Sequence, residues 1–187
     1  MSVLSVRRGA TGVGAVVVLV ATGSWAMGAT NAADVDPRLW GEVRPVIEDR
    51  LAADSRGSGY GETELDLGAR WFCRAEALEL QERGEAVRAG VNTLCMEYGV
   101  RDDSLVECSG ARYPQVVRLE RDEAAAGGYR VVSREEPPDG AGYTQWIEAN
   151  FSVFGEFAAE DPMSSDALES AARVHFGLPE DAPVQEC

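Results

Sequence analysis

Four cysteines, one histidine and 32 Asp and Glu side chains are the groups with which this 187-residue chain could do covalent, metal or acid–base chemistry. All 17 basic residues are arginine, so there is no lysine for a Schiff base, a Ser–Lys dyad or a phosphate loop. One histidine, His175, cannot build a multi-histidine metal site, and any Ser–His–Asp triad would have to pass through it. Arg56-Gly57-Ser58-Gly59-Tyr60 lacks the spacing of a nucleophile elbow. His175 falls late in a short helical pattern, where the last carbonyls favour a protonated imidazole, so capping or packing is the expected role. Paired carboxylates occur at Glu62/Glu64, Glu135/Glu136 and Asp102/Asp103. Acids are abundant enough to make such pairs common, and each is expected as a solvated turn or strand edge. Glu62, Glu64 and Asp66 lack the spacing and glycine of a calcium loop, and their alternation with Thr63, Leu65 and Leu67 is expected as a solvated strand edge. No catalytic residue, metal or cofactor is expected.

The cysteines carry the stronger signal. Their even number suits a disulfide framework in an exported chain. Export is expected from the N-terminus. Arg7-Arg8 precede a stretch from Gly9 to Ala33 that carries no charge, and small residues allow processing after Gly28, Ala32 or Ala33. Residues 1–33 therefore read as a signal peptide, or as a signal anchor if residues 9–29 stay in the bilayer uncut. Either case leaves the remainder secreted or extracytoplasmic, with the arginines inside. Without Arg7 and Arg8 that remainder holds 15 Arg against 32 acids, a net charge of about −17. Such a surface repels nucleic-acid phosphates and disfavours anionic lipid, so membrane attachment is expected only through an uncleaved N-terminal segment.

The elements that position these groups centre on residues 70–134, which read as an antiparallel meander. Residues 71–81 and 86–98 flank Glu82-Arg83-Gly84-Glu85. Arg101-Asp102-Asp103-Ser104 turns the chain again. Residues 113–120 and 128–134 form a second hairpin across Ala124-Ala125-Ala126-Gly127. With the first turn centred on Gly84, paired residues have numbers summing to 168, which sets Cys73 opposite Cys95. A slip of one residue removes that pairing. A bridge from Cys108 to Cys187 is then the default, although four cysteines allow three connectivities.

Ahead of the sheet, Asp36 can cap and Pro37 can open a helix to Asp54, with Leu39, Val43, Ile47 and Leu51 as its apolar stripe. Gly41 and Pro45 predict a kink or short break. After the sheet, residues 143–151 are expected as helix, and the stripe Ile147, Phe151, Phe154 and Ala158 allows an extension to Ala158. Ser164 or Ser165 caps a last helix, residues 166–176, stopped by Gly177 and Pro179. Residues 178–187 read as a tail pinned only by a bridge at Cys187. The expected fold class is α+β, an N-terminal helix packed on a four-stranded antiparallel meander and followed by C-terminal helices. The division is 1–33, an α+β domain over 34–158, and a C-terminal helix and tail over 159–187.

Cys73, then Leu94-Cys95-Met96-Glu97-Tyr98, Ser109-Gly110, Pro114-Gln115-Val116-Val117 and Gly128-Tyr129-Arg130-Val131-Val132 occur in order. Pro138-Asp139-Gly140-Ala141-Gly142-Tyr143 with Ile147 and Phe151 completes the pattern. It resembles small exported bacterial, actinomycete-type proteins with a cystatin-like domain, a helix on a four-stranded sheet. The resemblance covers residues 70–151 and implies a fold and an exported location, with no activity attached. This chain departs from it after Phe151, where the pattern calls for a proline and a stop.

Two function classes remain. One is a non-catalytic module binding another protein or an envelope component through an exposed sheet face or a loop over residues 107–113. The other is a small-ligand pocket lined by Trp71, Phe72, Trp146 and Phe151, with carboxylate-dependent hydrolysis if it holds a buried acid.

Overall fold

The structure, a computed structural model, describes residues 35–187; the expected targeting segment, residues 1–33, lies outside them. Helix α1 (Pro37–Ser55) precedes strands β1 (Arg70–Arg83), β2 (Ala86–Arg101), β3 (Ser104–Arg121) and β4 (Tyr129–Glu135). Helices α2 (Tyr143–Asn150), α3 (Val153–Glu160) and α4 (Asp166–Phe176) come next, and β5 (Val184–Glu186) closes the order. The first four strands form the expected antiparallel meander, β1-β2-β3-β4, and the short β5 pairs with β3 in parallel.

The first hairpin reaches the expected cysteine pairing by another route. Its loop is Gly84-Glu85, because Arg83 faces Ala86. Partner numbers therefore sum to 169 near the turn, one more than a centre at Gly84 gives. Between Ala77 and Glu79 the register shifts, and from Ala77↔Val91 to Arg70↔Tyr98 the sum is 168. Leu78 is the extra residue, a β-bulge that corrects the slip and sets Cys73 opposite Cys95. The next turn, Asp102-Asp103, has both residues at positive φ, 49° and 58°. That is the geometry a two-residue hairpin loop requires, and Asp tolerates it better than most residues.

One face of the sheet packs on α1. Asp36 caps this helix, its carboxylate accepting the N–H groups of Arg38 and Leu39. The stripe Val43, Ile47 and Leu51 is buried against Ala75, Val91, Val117 and Leu119. The helix runs unbroken through Gly41 and Pro45, so the expected break does not occur. Burial of its stripe offsets the hydrogen bond that Pro45 cannot donate.

The other face is covered as well. Ile147, Phe151 and Ala159 pack on Leu78 and Val116, while Leu168 and Ala172 of α4 pack on Leu94, Tyr98 and Leu105. The helix expected over residues 143–151 is present as α2, and the extension towards Ala158 forms a separate helix, α3. Phe151 is extended, and Ser152 starts α3 by accepting the Gly155 N–H. Phe154 of the expected stripe lies outside the described side chains. A buried ion pair holds the break open. Glu79 accepts the Ser152 N–H at 2.6 Å, Arg88 donates to Asn150 O, and the two side chains approach to 3.7 Å. Each charge thus serves the helix end of opposite polarity, which recovers part of its desolvation cost.

The tail is not free. Leu105 N–H donates to Pro183 O, Cys187 N–H donates to Glu107 O, and β5 runs beside β3. Residues 107–113, expected as a loop, are part of β3. Glu62, Glu64 and Asp66, expected on a strand edge, lie on or beside two short 3-10 turns, Gly61–Thr63 and Leu65–Leu67.

At the outer strand, Glu48 of α1 accepts the Ala75 N–H at 3.0 Å. Burial raises the Glu48 pKa despite this bond and the nearby Arg44 and Arg74. A carboxyl raised on folding binds its proton more tightly in the native state, so stability falls as pH rises through the ordinary carboxylate range. Glu48→Gln keeps an oxygen for Ala75 and removes the titration. Urea unfolding is expected to find it more stable than the parent at pH 7 and close to it near pH 3; a parent advantage at pH 7 would contradict this account.

Candidate functional site

All four cysteines are bridged. Cys73–Cys95 joins β1 to β2 and Cys108–Cys187 ties the last residue to β3. The first staples a cross-strand pair; the second lies against the connector between α1 and β1. That connector is drawn close to the sheet. A Cβ on Gly61 would come within 2.9 Å of the Cys108 sulfur, and Tyr60 N–H donates to Ser109 Oγ at 2.9 Å.

Beneath the connector sits Glu97, which has no exposed surface. One carboxylate oxygen accepts the Gly61 N–H at 2.9 Å; the other, Oε1, has no protein partner. A Cβ on Gly59 would stand 2.3–2.4 Å from all the carboxylate atoms, so only glycine allows the chain to pass this closely. From outside, Glu62 accepts the N–H groups of Gly57 and Gly59 at 2.6 and 3.3 Å. The two carboxylates therefore bracket the backbone of Gly59. A glycosidase-like pair needs open space for a scissile bond between its acids, and here that space holds the chain itself.

Trp71 is the β1 partner of Glu97 in the register, so the two side chains are neighbours on one face. The Trp71 indole nitrogen is buried without a partner, like Glu97 Oε1. Beside it opens a cleft of about 510 Å³ lined by Asp49, Ala52, Ala53, Arg56, Glu62, Arg70 and Trp71. This volume is in the range of small-ligand sites. A second recess, about 120 Å³, lies where Gln81, Val87 and Val132 meet and falls below that range. In the larger cleft two exposed guanidinium groups, Arg56 and Arg70, form no ion pair among the described residues, although the chain carries a net charge of −15. Unpaired arginines in an acidic chain favour a ligand rich in hydrogen-bond acceptors.

The four residues expected to line one apolar pocket are not brought together. Trp71 packs with the α1 cluster. Phe72, next in the strand, points to the opposite face, with its ring 5.6 Å from His175 and 6.1 Å from Phe176. Trp146 and Phe151 pack edge to face at 5.8 Å in a third cluster. His175 thus packs among aromatic rings late in α4. Of the paired carboxylates, Glu135 meets Arg118 and Glu136 meets Arg134, while Asp102 and Asp103 form the hairpin loop. Tyr98, buried under α4, has its hydroxyl pKa raised by desolvation and by nearby Glu107 and Glu169, so it stays neutral.

Glu79 and Arg88 belong to no motif legible in the sequence, and Glu97 falls within the quoted run Leu94–Tyr98 without a role assigned to it there. The one signal for Glu97 is a charge inside the apolar run Leu94–Tyr98, in a chain whose glycine-rich connector has backbone groups in need of partners. No group of three or more potential metal ligands occurs among the described residues. Nor, among them, is any helix long and apolar enough to cross a membrane. No family model, no curated protein and no solved structure matches the chain.

Gly59→Ala should lower stability by about 2 kcal/mol or more through overpacking against Glu97. Pairing it with Glu97→Ala should recover part of that loss, and a double-mutant cycle with no coupling would refute the close approach. Replacing Cys108 and Cys187 by alanine should cost more than replacing Cys73 and Cys95, about 4.5 against about 3.4 kcal/mol by loop entropy for separations of 79 and 22 residues. Equilibrium unfolding in urea compares the two.

Proposed function

We propose that this chain is an exported, non-catalytic binding module of the cell envelope or extracellular space, and that it engages its ligand at the Trp71 cleft. The observation that carries the reading is the contrast between that open cleft and the buried acids. Glu79 and Glu97 are occupied by backbone N–H groups at a helix end and a connector, whereas Arg56 and Arg70 line the cleft beside Asp49 and Glu62 and form no ion pair among the described residues. The two disulfides support an oxidising compartment. A rigid, stapled surface presenting unpaired guanidinium groups suits an acceptor-rich envelope polymer, and a net negative chain disfavours nucleic acid. The long helix on an antiparallel meander supports a cystatin-like reading of the fold, with the second helical layer and β5 as additions.

A small-ligand pocket is the second reading, and one observation favours it. The Trp71 indole N–H and Glu97 Oε1 are a buried donor and a buried acceptor at neighbouring positions. One hydroxyl, which both accepts and donates, would satisfy both.

Cell fractionation tests the proposal. The chain should be recovered outside the cytoplasm with no free thiols and should sediment with washed cell-wall sacculi. Arg56→Ala with Arg70→Ala should weaken that retention about tenfold without loss of fold, since both side chains are exposed. Cytoplasmic recovery with four free thiols would overturn the compartment, and no retention on sacculi would overturn the ligand.

A further inference from the structure

Strands β4 and β5 both lie along the side of β3 that faces away from β2, and they do not meet. The β4 pairing ends at Val116↔Glu135, and the β5 pairing ends at Glu107↔Glu186. Among the described residues no strand pairs with residues 108–115 of β3 on that side; Cys187 stands beside Cys108 through their disulfide and Pro114 and Gln115 are buried, so the accessible part is residues 109–113.

The backbone direction across the gap is fixed by hydrogen bonds on either flank. Arg121 N–H donates to Glu85 O on the β2 side, whereas Asp122 N–H donates to Gly128 O on the β4 side. Even-numbered residues of this half of β3 therefore turn their N–H and C=O groups outward. In agreement, Tyr113 O accepts the Thr93 hydroxyl on the β2 side at 2.7 Å. A register shift between Ser109 and Glu107 reverses the alternation, so Leu105 and Glu107 bond outward to β5. Within the gap Gly110 and Arg112 present their backbone groups outward, whereas Pro114, nearer β4, is buried. Gly110, Ala111 and Arg112 are exposed.

We propose that this gap is a strand-addition site that takes an extended peptide of about five residues carrying a basic side chain at one end. The length is that of the accessible stretch, residues 109–113, at about 3.3 Å per residue. The basic end is set by Glu107 and Glu186, a register pair at the β5 border with no arginine bound to either among the described residues. At the other border Glu135 and Glu136 are already held by Arg118 and Arg134. A second copy pairing gap to gap is a poor occupant, because the β4 and β5 of each chain would stand in the other's gap.

The test uses the isotope-labelled full chain and the pentapeptide acetyl-Arg-Val-Thr-Val-Arg-amide. Binding should shift the amide signals of Gly110 and Arg112 and slow their hydrogen exchange at least tenfold. The peptide with every backbone amide methylated should not bind. Arg112→Pro, which removes an outward N–H while leaving the β2 ladder intact, should weaken binding at least tenfold; Arg112→Ala should change it less than threefold. Equal binding of the methylated peptide, shifts elsewhere only, or no binding at millimolar peptide would each overturn the site. So would protection of the same amides that appears only with dimer formation. Should Arg112→Pro fail to fold, the methylated peptide and the exchange data decide alone.

Discussion

One extra residue in β1 decides which side chains reach which layer of the protein. Leu78 is a bulge, and a bulge shifts the register by one and reverses which face the later side chains take. On the turn side of it, Leu80 reaches the α1 core; on the other side, Trp71, Cys73 and Ala75 reach the same core. Without the shift one of these sets would face the wrong layer, and Cys73 would not oppose Cys95. The bulge also turns Leu78 and Glu79 together onto the opposite face. There Leu78 seats Ile147 and Phe151, and Glu79 meets the start of α3.

Four glutamates of this chain act as pins. Glu97 and Glu62 hold the glycine-rich connector, Glu48 holds the outer strand, and Glu79 holds a helix start, each by accepting backbone N–H groups. A carboxylate is well suited to this, since a charge-assisted bond to an amide is stronger than a neutral one. It also explains how Glu79 and Glu97 can be buried although no arginine among the described residues is as deeply buried.

Both faces of the sheet are packed, so the surface available for recognition is limited to edges and clefts. The Trp71 cleft and the open stretch of β3 lie on opposite borders of the meander, one beside the outer strand β1 and one between β4 and β5. The two could be occupied together. Disulfides near each, Cys73–Cys95 by the first and Cys108–Cys187 by the second, hold the strands that frame them.

Local signals were enough for much of the fold. Asp36-Pro37, Gly84, Asp102-Asp103 and Gly177 mark helix and hairpin ends through backbone preferences that belong to single residues. Alternating apolar residues marked the four long strands, and helical spacing marked the stripe of α1. Other features depended on contacts between distant segments. The break at Phe151-Ser152 opposes a continuous helical stripe, and it exists because Glu79 and Arg88, over 60 residues earlier, satisfy the freed backbone ends. β5 is three residues of weak strand preference, formed because Cys187 is held at Cys108. The cleft residues come from three separate segments, and the pocket expected from Trp71, Phe72, Trp146 and Phe151 fails because adjacent strand residues face opposite ways. By itself the sequence determined the meander, its caps and turns, and the chemistry its composition excludes, because those depend on residue type and short-range spacing. Only the tertiary structure decided the bulge, the roles of Glu79 and Glu97, and the places left open for a ligand, because each depends on which distant backbone groups find a partner and which do not.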